Sequence, residues 1–353
     1  MILDGEKVFH FLLDRGLISV EQIFNAEVIA SHSVQRNNLF RVACPDTGFF
    51  IKQPIPRETD DGSLTSWGEA AFYWLAYNDD FFSSVRACLP HYYSFDQHDR
   101  VLVLELLKNH RDLNAQEFAF NGSLEIAGTI GRTLGVLCSS LELSNLGVER
   151  ERLFTNYRPW ILSVGDAHSS PFRPRASADA WALQMIRQNP SLTLALKQAW
   201  RSWRNTGLVN GDIKAANIMV AADERGHLDV RVVDWELIGH GDPAWDLAGY
   251  LHSIVLNAVN ANPRATLDRI LVKVGPQLRA AWGEYRKHTQ CPSFDHPKAE
   301  SKLGAFLGSR LLQSSIEFAG HTNTVDDSLK RVLTAGISLV LDPGYFSRVM
   351  QMA

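Results

Sequence analysis

Asn210-Gly211-Asp212-Ile213-Lys214-Ala215-Ala216-Asn217 is the stretch on which the fold turns. Seventeen positions after Asn217 comes Asp234, inside Val233-Asp234-Trp235-Glu236, and Gly241-Asp242-Pro243-Ala244-Trp245-Asp246-Leu247-Ala248 follows. Short strands are expected at Ile218-Met219-Val220 and Val230-Arg231-Val232-Val233, around the turn Asp223-Glu224-Arg225-Gly226. Paired as a hairpin, they carry Asp212 and Asn217 to the same edge as Asp234. The set suits phosphoryl transfer: Asp212 orients an attacking hydroxyl, Asn217 and Asp234 offer oxygen to Mg²⁺ on ATP phosphates, and Lys214 offsets developing charge. Each residue alone is ordinary at a turn. The series and its spacing carry the reading.

Upstream, Val8, Phe9, Leu12, Leu13 and Leu17 recur at helical spacing near a stop at Gly16, and Ser19 with Gln22 has the form of a capping box. Three strands follow at 28–30, 39–42 and 49–53, separated by a polar turn over 31–38 and by Pro45-Asp46-Thr47-Gly48. Residues 67–77 place Trp67, Ala71, Trp74 and Leu75 at helical spacing, with Glu69 on an early turn. Strands at 92–95 and 101–107 bring the first part to five strands and one helix. The remainder reads as helical over 124–141, 193–203 and from Pro243, Thr266, Lys298 and Asp327 onward, Pro243 suiting a first turn. Residues 145–180 are expected to form an irregular loop or cap. The Trp181, Trp200 and Trp203 cluster reads as packing, His240 as structural or solvent-exposed, and the triplet His110-Arg111-Asp112 as a chance likeness to a protein-kinase catalytic loop that lacks a downstream Asn at the needed spacing.

The chain has 353 residues, 45% of them hydrophobic and 21% charged, which is enough to bury a core around a cleft and argues against disorder. A net charge of −4 without a basic segment gives no support to nucleic-acid binding. The cysteines, Cys44, Cys88, Cys138 and Cys291, lack zinc spacing and fit reduced thiols in a cytoplasmic protein. The first residues do not read as a secretion signal, and no apolar run reaches the ~20 residues that span a bilayer.

The three motifs together resemble the aminoglycoside phosphotransferase and choline kinase group, relatives of protein kinases. That pattern is H-G-D-x-x-x-x-N, a strand ending I-D-[WF]-E, then G-D-P-x-x-D-L-A. The resemblance implies an α+β, two-lobed, protein-kinase-like fold: a nucleotide-binding lobe over 1–107 with a five-stranded antiparallel sheet and a helix, and a mainly helical lobe over 108–353 that holds the catalytic loop and the acceptor. It implies that Lys52 contacts nucleotide phosphates and pairs with Glu69. It further implies that a polar hairpin brings Ser33 or Asn37 to phosphate, that Glu105 and Leu107 offer backbone groups to adenine, and that Met219 forms an apolar floor. Asp246 would brace the catalytic loop.

Several residues depart from that pattern. Asn210 stands in place of the usual histidine, whose part is to hold the loop by hydrogen bonds that an amide can also make. The turn over 31–38 contains no glycine, Phe50 is bulky for the adenine position, and Lys214 matches the lysine of protein Ser/Thr kinases. Between Asp234 and Asp246 no Ser, Thr or Tyr occurs, which excludes a phosphorylated activation segment there. The expectation is an ATP- and Mg²⁺-dependent kinase acting on a hydroxyl of a small molecule. Two alternatives remain: a kinase for Ser or Thr of a precursor peptide in lanthipeptide-type biosynthesis, working with a partner lyase, and a nucleotide-binding pseudokinase.

Overall fold

Apolar residues buried from neighbouring strands build the first sheet. The computed structural model describes residues 2–34, 37–55, 62–115, 123–165, 172–289 and 299–351. Strands β1 (Ile29–Val34), β2 (Asn37–Ala43), β3 (Gly48–Pro54), β4 (Tyr92–Asp96) and β5 (Val101–Glu105) form an antiparallel sheet in the order β1-β2-β3-β5-β4. Phe40 and Val42 of β2, Phe49 and Ile51 of β3, and Val101 and Val103 of β5 are buried in one cluster, as a period of two requires. Helix α1 (Lys7–Asp14) closes that cluster with Val8, Phe11 and Leu12. Each such side chain contributes about 1.5–3 kcal/mol by leaving water. Polar residues pin the N-terminal segment: Leu3 donates its N–H to Gln53 Oε1 at 2.9 Å, and Asn38 donates to the Leu3 carbonyl at 2.7 Å. Lys52 lies in register with Leu39 and Leu102.

Helix α2 (Val20–Phe24) opens with the expected capping box of Ser19 and Gln22. The turn expected over 31–38 is shorter than its polar composition implied. Ser31, His32 and Ser33 pair with Arg41, Phe40 and Leu39, so only Gln35 and Arg36 separate the strands, and these two lie outside the described residues. His32 stacks on Phe40 at 4.3 Å, which gives polar sequence a reason to stay in the ladder.

Helix α3 (Gly62–Asn78) presents a different face from the one its tryptophans suggested. Trp67 and Trp74 are exposed, whereas Glu69, Ala70, Phe72, Tyr73, Leu75 and Ala76 are buried. Phe72 packs on Trp235 at 4.3 Å, and Glu69 turns inward beside it. Strands β6 (Arg111–Asp112), β8 (Ile218–Ala222) and β9 (Leu228–Val232) form a small sheet in the order β6-β8-β9. His110 meets Asp229 at 3.1 Å and Arg111 pairs with Val220, so the His110-Arg111-Asp112 triplet is structural.

The chain divides into two units, Met1–Asp112 with Met219–Ile238, and Leu113–Ile218 with Gly239–Ala353. The second is mainly helical: α4 (Leu124–Ser140), α5 (Leu143–Leu146), α6 (Val148–Glu151), α7 (Ser177–Arg187), α8 (Pro190–Ser202), α9 (Pro243–Ala261), α10 (Leu267–His288), α11 (Ala299–Ala319), α12 (Asp327–Leu341) and α13 (Gly344–Gln351). Helices α4 and α10 approach closely because Gly131 has no side chain: a Cβ there would stand 2.1 Å from the Ala281 carbonyl oxygen. Helix α7 emerges from the stretch read as irregular, with Asp179 accepting from the Arg175 and Ala176 N–H groups at its start. Two three-residue strands without a sequence signal, β7 (Gly207–Val209) and β10 (Gly239–Gly241), pair with each other. They flank the Asn210 loop and the start of α9, whose N-cap is Asp242 with Pro243 in the first turn. Cys44, Cys88 and Cys138 are buried thiols, and Cys291 lies outside the described residues. Among the described residues no helix is long and apolar enough to cross a membrane.

Candidate active site

In the first unit the chemistry gathers around one ammonium. Lys52 Nζ lies 2.9 Å from Glu69 Oε2, 2.6 Å from Asp234 Oδ1 and 3.2 Å from Glu236 Oε2. Burial alone would favour the neutral amine, and the three carboxylates more than reverse that, so the pKa of Lys52 is raised. Burial also pushes the Glu69 carboxyl above the usual carboxylate range, against the pull of Lys52. Glu69 Oε1 accepts from the Trp235 N–H at 3.1 Å, which ties α3 to the segment carrying Asp234. Asp234 has φ +60°, a left-handed conformation that Asp tolerates better than most residues and that recurs where strain serves a site. Asn37 Nδ2 donates to Glu236 Oε2 at 3.3 Å, closing the cluster from the sheet side.

The other sequence candidates in this unit sit apart in role. Ser33 is a half-buried β1 residue opposite Leu39, and among the described residues no hydrogen bond or ion pair joins it to the Lys52 cluster. Glu105 ends β5 and accepts the His91 N–H at 3.0 Å, the Leu107 carbonyl accepts from His110, and Met219 pairs with Asp112.

In the second unit the loop between β7 and β8 is held from several directions. Asp246 Oδ2 and Oδ1 accept the Asn210 and Gly211 N–H groups at 2.7 and 2.9 Å, and desolvation pushes that carboxyl up to about 7. Tyr157 Oη and Trp245 Nε1 both donate to the Gly211 carbonyl, at 2.7 and 3.1 Å. Asn210 is fully buried, and its Oδ1 accepts the Asp212 N–H at 3.0 Å. The amide thus makes a loop-holding bond of the kind for which a histidine was the sequence expectation. Asp212 Oδ2 meets Lys214 Nζ at 2.5 Å, and Asn217 Nδ2 donates to the Asp212 carbonyl at 3.0 Å.

Gly211 has φ +82°, and a Cβ there would stand 2.8 Å from the Tyr157 ring. Gly211→Ala is expected to lose about 1–2 kcal/mol from the left-handed backbone alone, read as a lower midpoint in urea. An unshifted midpoint would show that the ring and loop relax freely.

Behind the loop, His252 Nδ1 donates to the Gly249 carbonyl at 3.2 Å, and Nε2 pairs with the Ser314 hydroxyl at 2.8 Å. Burial lowers its pKa to about 3. The unfolded chain takes up a proton below about pH 6.5 that the folded protein refuses, so this contribution is complete above that pH and is lost as pH falls toward 3. Relative to His252→Gln, the wild type is expected to lose up to about 1.4 kcal/mol per pH unit in that window. Parallel stability–pH curves for the two proteins would refute it.

A comparison with protein-family models matches residues 74–287 to the APH model, described as the phosphotransferase enzyme family. The chain belongs to the phosphotransferase enzyme family. It is therefore a phosphotransferase. Comparison with curated protein sequences finds no match. Among solved structures, ethanolamine kinase from Plasmodium vivax is similar at 11% identity with a TM-score of 0.57, over 99% of this chain and 92% of that one. A microcompartment-associated aminopropanol kinase is similar at 15% identity and a TM-score of 0.55, over 94% of this chain and 98% of that one. Choline kinase from Cryptosporidium parvum matches at 10% identity and a TM-score of 0.53, over 97% of this chain and 96% of that one. These likenesses show the protein-kinase-like fold.

The phosphotransferase also holds residues that sequence reading passed over. Glu236 was visible in the motif, yet its ion pair with Lys52 and its bond from Asn37 depend on register. Arg310, from α11, is 3% exposed; its Nη2 donates to the Ile213 carbonyl at 2.7 Å and lies 3.5 Å from Asp212 Oδ1. Its guanidinium also covers the Trp245 ring at 5.3 Å. Nothing local in the sequence marks Arg310, which follows the motif by nearly a hundred residues. His240 donates to the Glu151 carbonyl at 2.9 Å, in keeping with a structural histidine.

Proposed function

We propose that this phosphotransferase moves the γ-phosphate of ATP, with Mg²⁺, to the hydroxyl of a small molecule. The observation that supports it most is the Lys52 cluster, one ammonium facing Glu69, Asp234 and Glu236. Lys52 would hold nucleotide phosphates, with Glu69 and Glu236 fixing its direction. The excess of negative charge around Lys52 fits a divalent cation. Among the described residues no three His, Cys, Asp or Glu side chains could hold an ion by themselves. Mg²⁺ takes few protein ligands and completes its shell with phosphate oxygen and water.

Asn217 and Asp234 would be its protein ligands, as the resemblance of their motifs suggests. The Asn217 amide donates through Nδ2 to Asp212, which leaves Oδ1 as its acceptor end. When bound, Mg²⁺ neutralises phosphate charge and orients the phosphates. Asp212 orients the acceptor hydroxyl and takes its proton, while Lys214 and Arg310 supply positive charge beside that carboxylate. Ser33 or Asn37 near phosphate, Glu105 and Leu107 at adenine and Met219 beneath it complete the reading.

Amino alcohols head the acceptor panel, because ethanolamine and aminopropanol kinases share the fold. A GDP complex of a similar aminoglycoside 2'-phosphotransferase, with a TM-score of 0.54, puts GTP beside ATP as a donor to be tried. The test is transfer from [γ-³²P]ATP to amino alcohols, aminoglycosides and Ser-rich peptides, with Mg²⁺ or with EDTA, in wild type and Asp234→Asn. Label in a small molecule that EDTA and Asp234→Asn both abolish supports the reading. Label in peptide alone would replace the acceptor class, and nucleotide binding without any turnover would make the protein a pseudokinase.

A further inference from the structure

Behind the Asp212 loop the second unit forms a half-open cavity of about 190 Å³, far above the ~10–15 Å³ that admits one water. Helices α4, α9 and α10 wall it, and Ala215 of the loop forms part of its lining. Its surface is mostly apolar, from residues such as Ile126, Ile254 and Val274. Ser253, Asn257, Asn262 and Gln277 interrupt it with hydroxyl and amide groups, Gln277 Oε1 being buried without a hydrogen-bond partner among the described residues, and Tyr250 and Lys273 add a phenol and an ammonium. Tyr250 is 3% exposed, its hydroxyl makes no hydrogen bond among the described residues, and burial alone raises its pKa. Lys273 is the one charged lining residue, exposed, with its Nζ 3.2 Å from Asn262 Oδ1. Among the described residues no acidic side chain lines the space.

Apolar walls, a buried phenol without a partner and one ammonium define a ligand with an apolar body and an anionic acceptor group. We propose that this cavity binds a small carboxylic acid with an alkyl or aryl body, and that the occupant acts on the Asp212 loop. The route to the loop is short. Ser253 lines the cavity, and its Oγ accepts the Ala215 N–H at 3.0 Å while donating to the Gly249 carbonyl at 3.1 Å. An occupant touching Ala215 and Ser253 therefore presses on the bond that seats the loop two residues before Asn217. The effect on turnover rests on the reading of that loop as catalytic; the binding itself does not.

The test uses the full chain with hexanoate and benzoate as probes, and 1-hexanol and benzyl alcohol as neutral counterparts, titrated by calorimetry. Wild type is compared with Lys273→Met and with Ala258→Leu, which fills the cavity from a half-buried position on α9. The acids are expected to bind saturably. Lys273→Met should weaken them about tenfold, the worth of one charged hydrogen bond, and leave the alcohols unchanged. Ala258→Leu should remove binding with an unshifted melting temperature and unchanged basal turnover. Saturating hexanoate should alter kcat in the wild type and not in Ala258→Leu. Absence of saturable binding, equal binding of acids and alcohols in wild type and Lys273→Met, or binding that survives Ala258→Leu overturns the site. Saturable, Ala258→Leu-sensitive binding with constant kcat overturns the action on the loop. Loss of all turnover on every acceptor would instead fall on the proposed reaction and leave the calorimetry standing.

Discussion

Asp212→Asn is expected to lower kcat by about 10²–10⁴-fold while nucleotide KM stays within a few fold, the pattern of losing a positioned base without losing ground-state binding. Its fold should persist. Asn217 and Asn210 bond to the backbone of residue 212, so those contacts survive the change, while the carboxylate's pairing with Lys214 and Arg310 and its long contact from Asn217 Nδ2 are altered. Initial rates with the best acceptor from the panel, together with thermal melting, give the answer. A variant with at least a tenth of wild-type kcat would remove Asp212 from the reaction and leave the loop as a scaffold.

Lys52→Met should strike both stability and function. Glu69 is 2% exposed and would keep its buried carboxyl with the countercharge gone, a change that costs about 3–5 kcal/mol when one partner of a buried pair is removed. The sign of the pH effect follows from burial, which already lifts the Glu69 pKa and would lift it further without the ammonium. A raised carboxyl is harmless below its unfolded value and costs stability as pH rises through the folded one, so the deficit should grow from pH 5 to pH 8. Nucleotide kcat/KM is expected to fall about 10–100-fold at a pH where the variant is folded, the worth of a charged hydrogen bond to phosphate. Urea unfolding at the two pH values separates the effects. Equal stability loss at both would mean that Glu69 does not carry it.

The sheet was legible because apolar, aromatic and β-branched runs stand between polar turns. Phe40 and Val42, Phe49 and Ile51, Val101 and Val103 each sit two apart and fall on one face. The first helix was legible through Val8 and Leu12, and the second through Ser19 and Gln22. Helix α3 misled because its tryptophans are its largest apolar groups, yet Glu69 must reach Lys52 and that requirement turns Trp67 and Trp74 to water. Strands β7 and β10 escaped because three residues rich in glycine carry no periodicity, though their pairing frames the loop. The loop motif announced Asp212, Lys214 and Asn217 locally. Arg310 could not be announced, since an arginine on a late helix acquires meaning only once α11 packs against Trp245.

The first unit is assembled from two stretches of chain, Met1–Asp112 and Met219–Ile238. During synthesis its sheet can form early, while the segment bearing Asp234 and Glu236 emerges roughly a hundred residues later, a delay of about 5–20 s at ordinary elongation rates. Throughout that interval Lys52 has only Glu69 to face, and Phe72 lacks the Trp235 ring that covers it. The nascent unit therefore lacks two of the three carboxylates that face Lys52 and leaves Phe72 without its Trp235 partner until that segment arrives.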